Sequence, residues 1–310
     1  MSIVLKANNK ARVQTWFDVL KAALPDAELR LWPDCGDPAK VEFVIASDLP
    51  PGAFATFPNL KFIACMAVGL DGLLGDPTIP AHIPFVRSVN KERGDTMAEY
   101  VVLHALRHFR QQPDYEANQR QARWQRRLDR SAADFGIGVM GLGNLGRAAA
   151  EKLRLFGFPV AAWTRSPRDA GDIEIFAGRD RLPAFLARSR LVVCLLPLTA
   201  ETRDILDARA FAAMPKGAYL INAGRGEELV EDDLLAALGS GQLAGATLDV
   251  FRTEPLPADH PFWQHPKVTV TPHNSAATVG AHGADVILDN IRRARAGLPL
   301  VNTVDKAAGY

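Results

Sequence analysis

The sequence predicts an α/β protein with two doubly wound parallel-sheet domains. The first observation is a repeated alternation of short apolar runs with stretches of helical periodicity, which is typical of parallel sheets covered by helices. The second is a complete strand, glycine turn, helix and strand within residues 135–165. The third is size, because 310 residues that are 48% hydrophobic can form two medium cores.

The first ninety or so residues predict a small α/β domain of their own. Strand candidates lie at 3–5, 29–32, 43–46, 62–66 and 85–86. The helix predicted at 11–24 carries Val13, Trp16, Phe17, Leu20 and Leu24 on one side. A glycine-containing turn at 67–72 follows a strand, and its backbone N–H groups could bind a carboxylate. An ordinary strand-to-helix turn would explain the same residues.

Residues 91–130 predict a helical connection that Pro113 interrupts. Seven arginines lie between Arg107 and Arg130. A nucleic-acid site is disfavoured, because the basic charge is local, aromatic residues for base stacking are sparse and no DNA-binding motif surrounds it. We interpret the segment as a solvated or subunit-contacting arm.

The central unit predicts dinucleotide binding. An apolar strand at 137–140 runs into Gly141-Leu142-Gly143-Asn144-Leu145-Gly146, a G-x-G-x-x-G pattern that opens a helix and is followed by a strand at 159–163. In this pattern Gly141 permits a tight turn, Gly143 lets a pyrophosphate approach the backbone, and Gly146 allows close helix–strand packing. The helix N-terminus presents N–H groups to the phosphates. A purely structural glycine turn is the alternative.

The end of the second strand indicates which nicotinamide cofactor binds. An NAD-specific site usually has Asp or Glu there, to bind the ribose hydroxyls. Here the chain reads Trp163-Thr164-Arg165-Ser166-Pro167-Arg168, with no carboxylate before Asp169. Arg165, helped by Ser166 and Arg168, can hold a 2′-phosphate, so the sequence predicts NADPH, with NADH possible as a weaker cofactor. A solvated surface loop is the alternative.

The following segment predicts further strands whose ends carry polar or turn residues. Strands are predicted at 191–196, 218–221, 246–250 and 268–271, helices at 208–214, 229–238 and 276–296. These strands are followed or closed by Pro197, Arg225, Asp249 and His273. In doubly wound sheets ligands bind beyond the carboxyl ends of the strands, so these residues predict one site together with Gly141 and Arg165.

Three residues with ionisable side chains are candidates for substrate binding and catalysis. Arg225 lies between two glycines and can bind a carboxylate bidentately. His273 can give a proton to a carbonyl oxygen as hydride reaches the carbon. Glu254, on the loop after the Asp249 strand, could hydrogen-bond the other ring nitrogen and favour the protonated ring. The alternatives are an arginine in a surface turn, a structural histidine and an exposed glutamate.

The motifs GLGNLG, LLPLT, INAGRG, LDVF, TEPLP and TPH, in this order and spacing, resemble the D-2-hydroxyacid dehydrogenase family over essentially the whole chain. PFWQHP, VEDDLLAAL and the C-terminal GY are similar to its glyoxylate/hydroxypyruvate reductase A group. The resemblance implies a Rossmann-like cofactor domain at 96–278 and a smaller flavodoxin-like substrate domain at 1–95 and 279–310. It also implies a catalytic set of Arg225, Glu254 and His273, and a substrate-carboxylate turn of Val68, Gly69 and Leu70. The cofactor-binding candidates are Gly141, Gly143, Asn144, Leu145, Gly146, Thr164, Arg165, Ser166, Arg168, Pro197, Thr202, Ala223, Gly224 and Asp249, the last as the contact to the nicotinamide carboxamide.

The expected activity is therefore NADPH-dependent reduction of a small 2-keto acid, glyoxylate or hydroxypyruvate, to the D-2-hydroxy acid, with no metal required. Two departures from the group's pattern, at Met66-Ala67-Val68-Gly69 and Ala46-Ser47-Asp48, fall in the expected substrate pocket and leave the natural acid open. A dinucleotide-sensing binding protein of the same fold and an NAD-linked oxidative 2-hydroxyacid dehydrogenase are the alternatives.

Composition limits the partners and the compartment. A net charge of +1 gives no global attraction to nucleic acid or anionic membranes, and no apolar run approaches the length of a membrane span. The three cysteines, Cys35, Cys65 and Cys194, are scattered without metal-type spacing and suggest a reducing compartment. The expectation is a cytoplasmic enzyme with no nucleic-acid or membrane partner, and the resemblance implies a homodimer.

Overall fold

The computed structural model describes residues 1–7, 10–46, 49–66, 73, 76–88, 91–127, 130–276, 281 and 283–304. The chain divides into two compact units, Met1–Arg93 with Thr278–Tyr310, and Gly94–Ala277. Each unit contains one parallel β-sheet flanked by helices, which confirms the predicted fold class.

The strands are β1 (Ser2–Lys6), β2 (Glu28–Leu31), β3 (Val41–Ala46), β4 (Phe62–Cys65), β5 (Phe85–Arg87), β6 (Ile137–Met140), β7 (Val160–Thr164), β8 (Glu174–Ala177), β9 (Leu191–Cys194), β10 (Ala218–Asn222), β11 (Leu243–Leu248) and β12 (Val268–Val270). The α-helices in the described residues are α1 (Lys10–Ala23), α2 (Lys91–Phe109), α3 (Gln112–Arg120), α4 (Asn144–Leu155), α5 (Leu182–Arg188), α6 (Ala208–Ala213), α7 (Glu231–Ser240) and α8 (Ala284–Arg295). Short 3₁₀ helices occur at Pro38–Lys40, Ala53–Thr56, Ala132–Asp134, Arg179–Arg181, Gly226–Glu228 and Pro261–Trp263.

The first unit has a five-stranded sheet in the order β2-β1-β3-β4-β5, with every pair parallel. Alternate residues of each strand face opposite sides, as the two-residue period of a strand requires. Ile3 of β1 packs with Trp16 of α1 and Ile287 of α8 on one side, whereas Val4 packs with Phe54 on the other. The apolar stripe predicted for the first helix is therefore the face that covers the sheet.

The second unit has a seven-stranded sheet in the order β12-β11-β10-β9-β6-β7-β8, again with every pair parallel. The chain runs outward from β6 to β8, returns to β9 beside β6, and then runs outward the other way to β12. The strand order therefore reverses between β6 and β9, the point at which doubly wound sheets open a crevice for ligands. Helices α2 and α4 cover one face, and α5, α6 and α7 cover the other.

Four elements differ from the sequence prediction. Strand β8 and helix α5 were not predicted, because β8 is a short edge strand of mixed polarity and α5 has only seven residues. The helical connection expected over 91–130 breaks at Gln111, whose φ is +56°, and residues 121–127 are not helical. The helix expected from residue 276 begins only at Ala284, after Gly283 in a left-handed conformation with φ +90°.

Candidate active site

The candidate residues follow strands of the seven-stranded sheet. Because these strands are all parallel, their carboxyl ends lie at one edge. The strand order then gives the succession along this edge, which is His273 after β12, Asp249 after β11, Arg225 after β10, Pro197 after β9, Gly141 after β6 and Arg165 after β7. The candidate catalytic residues His273 and Arg225 therefore lie along one half of this edge, and the candidate phosphate-binding residues Gly141 and Arg165 lie along the other half.

The glycine turn after β6 uses each of its three glycines differently. Gly141 has φ +91°, which favours glycine, and a Cβ there would lie 2.8 Å from the Leu195 carbonyl oxygen. A Cβ on Gly146 would lie 1.9 Å from the Gly141 carbonyl oxygen, so α4 could not pack against the turn with any side chain there. A Cβ on Gly143 would meet nothing within 4 Å. The turn is thus tight on the protein side and open at Gly143.

Helix α4 begins directly after this opening. Gly143 is its N-cap, and Asn144 and Leu145 are its first two residues. The N–H groups of a helix's first turn have no carbonyl partner within the helix, and they lie at the positive end of the helix dipole. The open turn therefore borders a group of N–H donors suited to a phosphate.

The loop after β7 is tied to the glycine turn. The Thr164 hydroxyl donates to the Ser166 carbonyl oxygen at 2.9 Å. Arg168 Nη1 donates to the Leu142 carbonyl oxygen at 3.0 Å. Arg147 of α4, which the sequence analysis did not identify, donates through Nη2 to the Asp169 carbonyl oxygen at 3.2 Å. The structure thus brings Arg168 to the glycine turn, while Arg165 and Ser166 are exposed beside it.

The turn after β9 is fixed by a buried threonine. The Thr202 hydroxyl donates to the Pro197 carbonyl oxygen at 2.7 Å and accepts the Thr199 N–H at 2.8 Å. Thr202 is only 8% exposed, so its hydroxyl shapes this turn from the protein side.

The turn after β10 carries Arg225 and is held by neighbouring side chains. Asn222 accepts the Gly224 N–H at 3.2 Å and donates to the Arg225 carbonyl oxygen at 3.1 Å. The Arg225 N–H donates to Glu228 Oε2 at 3.0 Å. Ala223 and Gly224 are buried, whereas Arg225 is half-buried. Asn222 and Glu228 were not among the predicted site residues, although Asn222 lies within the INAGRG motif and Glu228 follows it by two residues.

Asp249 organises the loop that contains His273. Its Oδ1 accepts the Thr271 hydroxyl at 2.6 Å and the Asn274 N–H at 3.0 Å, and its Oδ2 accepts the Ser275 N–H at 2.8 Å. Its carbonyl oxygen accepts the His273 N–H at 2.8 Å. The side chain is fully buried. The contacts visible in the structure therefore make Asp249 the support of this loop.

A half-buried tyrosine extends this network. Tyr100 Oη lies 2.8 Å from Thr271 Oγ1. Because the single hydroxyl proton of Thr271 goes to Asp249, Tyr100 is the donor in this bond. Burial raises the pKa of Tyr100 above its ordinary value, which keeps the phenol protonated. Tyr100, on α2, was not among the sequence-predicted site residues.

His273 and Glu254 form the hydrogen-bonded pair that the sequence suggested. His273 Nδ1 lies 2.7 Å from Glu254 Oε2, and Glu254 Oε1 accepts the Phe251 N–H at 3.0 Å. The two side chains are 51% and 36% exposed. His273 has φ +52°, an uncommon conformation for a non-glycine residue. The contact directs Nδ1 toward the carboxylate and leaves Nε2 as the ring nitrogen that can meet a ligand.

Val68, Gly69 and Leu70, the expected substrate-carboxylate turn, lie outside the described residues. Among the residues that are described, no three His, Cys, Asp or Glu side chains are grouped as a metal ion would need. No described helix combines the length and apolar character required to cross a membrane.

Comparisons with known proteins identify similar chains. Residues 102–275 match the model of the D-isomer specific 2-hydroxyacid dehydrogenase, NAD binding domain. The chain is 42% identical over 303 residues to glyoxylate/hydroxypyruvate reductase A of Serratia proteamaculans, covering 96% of each chain. It is 39% identical over 300 residues to the protein of the same name from Yersinia enterocolitica, covering 95% of this chain and 96% of that one.

Solved structures agree with these matches. A D-isomer specific 2-hydroxyacid dehydrogenase from Xanthobacter autotrophicus Py2, in complex with NADPH and MES, is 40% identical, with a TM-score of 0.95 over 100% of this chain and 99% of that chain. An NADPH-dependent glyoxylate/hydroxypyruvate reductase from Sinorhizobium meliloti, in complex with NADP and sulfate, is 35% identical, with a TM-score of 0.91 over 100% and 99%. These comparisons confirm the resemblance drawn from the motifs.

Proposed function

The chain belongs to the D-isomer specific 2-hydroxyacid dehydrogenase family, and from this premise we propose that it reduces a small 2-keto acid to the D-2-hydroxy acid with NADPH. Glyoxylate and hydroxypyruvate are the proposed substrates, because relatives 39% and 42% identical carry both in their names. The observation that carries the proposal is the His273–Glu254 pair, with 2.7 Å between Nδ1 and Oε2, at the same sheet edge as the glycine turn and Arg225.

The residues after β6 and β7 fit a phosphorylated dinucleotide. The turn is open at Gly143, and the first N–H groups of α4 border the opening. Arg165, Ser166 and Arg168 would hold the 2′-phosphate by charge-assisted hydrogen bonds, which makes NADPH the preferred cofactor and NADH the weaker one. When bound, NADPH supplies the hydride that adds to C2 of the keto acid. The other proposed cofactor contacts are Gly141, Asn144, Leu145, Gly146, Thr164, Pro197, Thr202, Ala223, Gly224 and Asp249.

Arg225 is the proposed substrate-binding side chain. Its guanidinium presents a planar set of donors that matches a carboxylate bidentately, and it can also polarise the C2 carbonyl. Val68, Gly69 and Leu70 are proposed as backbone donors to a carboxylate on the strength of the family resemblance. By the same resemblance, unit Gly94–Ala277 acts as the cofactor domain and the other unit as the substrate domain.

His273 is the proposed proton donor. Its Nδ1–H donates to Glu254 Oε2, so the ring is oriented with Nε2 toward the substrate oxygen. The proton passes from Nε2 to the carbonyl oxygen as C2 is reduced, which leaves a hydroxyl. A positioned acid of this kind contributes about 10²- to 10⁴-fold to the rate.

A cytoplasmic homodimer is proposed as the working form. Leu103 of α2 and Trp124, which follows α3, lie in the segment that the resemblance assigns to the dimer, and they are 62% and 100% exposed in the chain alone. Cys35, Cys65 and Cys194 form no disulfide, which suits a reducing compartment. Light scattering should give about twice the 33.7 kDa of one chain, and the mass of a single chain would contradict the dimer.

The activity is tested by absorbance loss at the reduced-nicotinamide band with glyoxylate, hydroxypyruvate, pyruvate and phenylpyruvate, each with NADPH and NADH. We expect NADPH-linked turnover of a small keto acid that falls at least about 100-fold in Arg225→Ala. The exposed Arg209→Ala, the matched control, should keep wild-type rates. Arg165→Ala should raise the KM for NADPH about tenfold. If no acid is reduced although NADPH binds, the chain is a dinucleotide-sensing protein instead.

A further inference from the structure

Glu228 is a fully buried carboxylate three residues after Arg225. Removing a carboxylate from water is unfavourable unless hydrogen bonds replace the lost hydration. We infer that Glu228 is a positioning residue for Arg225, because its carboxylate fixes the backbone from which the guanidinium extends. The inference rests on the proposed function, in which Arg225 binds the keto acid.

The backbone N–H and carbonyl groups of Gly224 and Arg225 are all hydrogen-bonded. The Gly224 N–H and the Arg225 carbonyl oxygen are both bonded to the side chain of Asn222, at 3.2 and 3.1 Å. The Arg225 N–H donates to Glu228 Oε2 at 3.0 Å. The Gly224 carbonyl oxygen accepts Arg225 Nη1 at 2.6 Å. Asn222 and Glu228 are both fully buried, so two side chains hidden from water determine the conformation of this turn.

Glu228 is itself held in place by a residue of the sheet. The Cys194 thiol, at the end of β9, donates to the same Oε2 at 3.1 Å. Burial first, and then the Glu228 carboxylate, raise the pKa of this thiol well above its usual range, so it keeps its proton and remains a donor. A Cβ on Gly224 would lie 2.4 Å from Oε2, so the close approach of the carboxylate requires glycine there. Gly224 is therefore required for the close contact between the Glu228 carboxyl group and the Arg225 turn.

Glu228 Oε2 supplies the acceptor for the Arg225 N–H at 3.0 Å. A buried N–H that loses its acceptor is strongly disfavoured, so the folded turn keeps this bond. It restrains the backbone of Arg225 and, through it, the point from which the guanidinium reaches the substrate. A catalytic group displaced by about 1 Å can lose about 100-fold in rate. Losing the acceptor at 228 should therefore reduce turnover, while the glycine turn and the loop after β7, which are proposed to hold the phosphates of NADPH, keep their own contacts.

The test uses Glu228→Leu, which removes the acceptor, and Glu228→Gln, which retains an amide oxygen. Glu227→Gln is the matched control, because Glu227 is its half-buried neighbour and undergoes the same change of charge. We expect kcat/KM for glyoxylate to fall about 10- to 100-fold in Glu228→Leu and less in Glu228→Gln, with wild-type values in Glu227→Gln. The Kd for NADPH, measured by fluorescence, should stay within about twofold in all three.

The decisive readout is a double-mutant cycle with Arg225→Ala, assayed at high enzyme concentration. With no guanidinium left to position, Glu228→Gln should change kcat/KM by less than about twofold in that background. Losses that multiply, or an equal loss in Glu227→Gln, would overturn the positioning role. If Glu228→Leu does not fold, Glu228→Gln supplies the cycle. A wild type without turnover overturns the proposed function, and this inference with it, whereas an active wild type with multiplying losses overturns this inference alone.

Discussion

His273 shows how the site depends on residues that hold other residues. Its φ of +52° is a conformation that typically costs a non-glycine residue about 1–3 kcal/mol and persists only where its surroundings impose it. Here the His273 N–H donates to the Asp249 carbonyl oxygen, and the Asp249 carboxylate binds the next two backbone N–H groups. The uncommon backbone is therefore imposed by one buried aspartate, which supports a functional role for the histidine it presents.

Glu254→Gln is the sharpest test of the pair at the residue scale. The amide keeps the size of the side chain but removes the charge that faces His273 Nδ1 at 2.7 Å. We expect kcat to fall about 10- to 100-fold, with the Kd for NADPH unchanged, because the proton donor loses the partner that orients it. Asp259→Asn, on an exposed position of the same loop region, is the control. Wild-type kcat in Glu254→Gln would rule out this role for the carboxylate.

The sequence could indicate some site residues and not others, for a physical reason. Arg225 and His273 stand out because each follows a strand of apolar sequence, which is a local pattern. Tyr100 and Thr271 are 171 residues apart in the chain, and Cys194 and Glu228 are 34 apart. Such contacts depend on which helices, strands and loops become neighbours in the fold. No local spacing reveals them, so the supporting residues were found only in the structure.

At the scale of elements, the glycine turn and α4 form one unit. Gly146 brings the helix into contact with the turn, and Gly143 keeps the opposite side open. The sequence predicted these different roles, because the G-x-G-x-x-G pattern lies between a strand and a helix. It did not predict β8, a four-residue strand at an edge of the sheet with only one buried residue, where the apolar signal is weak.

The two glycines give opposite expectations when replaced by alanine. Gly146→Ala places a methyl group 1.9 Å from the Gly141 carbonyl oxygen, so we expect the free energy of unfolding to fall by about 3 kcal/mol or more. Gly143→Ala adds a methyl group with no protein atom within 4 Å, so stability should change by less than about 1 kcal/mol.

NADPH binding separates the two variants further. The methyl group of Gly143→Ala would occupy the space in which the pyrophosphate approaches, so the Kd for NADPH should rise at least about tenfold. Urea unfolding and fluorescence titration measure the two quantities. A stable Gly143→Ala variant that binds NADPH as the wild type does would mean that the phosphates lie elsewhere.

At the scale of the whole molecule, the alternation of strands and helices was sufficient to predict two parallel sheets. It was not sufficient to place the ends of the helices. The last helix starts at Ala284 rather than 276, because Gly283 takes a left-handed conformation directly before it. The periodicity of apolar residues indicates which face of a helix is buried. It says little about the residue at which the helix's backbone hydrogen bonding begins.

Global stability should fall in acid because two histidines of α2 are buried. Burial lowers the pKa of His108 to about 3 and that of His104 to about 4, from an ordinary value near 6.5. Between these values the unfolded chain binds protons that the folded chain excludes. The free energy of unfolding therefore falls as pH falls below about 6.5, by up to about 1.4 kcal/mol per pH unit for each histidine.

His108→Gln tests this expectation. The amide can replace the bond of 3.0 Å between His108 Nε2 and Thr247 Oγ1, while removing the titrating ring. Urea unfolding measures the free energy of unfolding from about pH 7 to about pH 5. In His108→Gln this free energy should fall less steeply with pH than in the wild type, by a slope that corresponds to close to one bound proton. His82→Gln, at an exposed position, should leave the slope unchanged. An unaltered slope in His108→Gln would contradict the assignment of acid sensitivity to this buried ring.

The central claim, hydride transfer from NADPH to C2 of a small 2-keto acid, is tested most directly by an isotope measurement. Glyoxylate or hydroxypyruvate is reduced with NADPH deuterated at either C4 position in turn, and the 2-hydroxy acid is analysed by mass spectrometry. The account predicts a product one mass unit heavier with one of the two labelled cofactors, with the deuterium at C2. Product without deuterium from either cofactor, or no product at all, would contradict it.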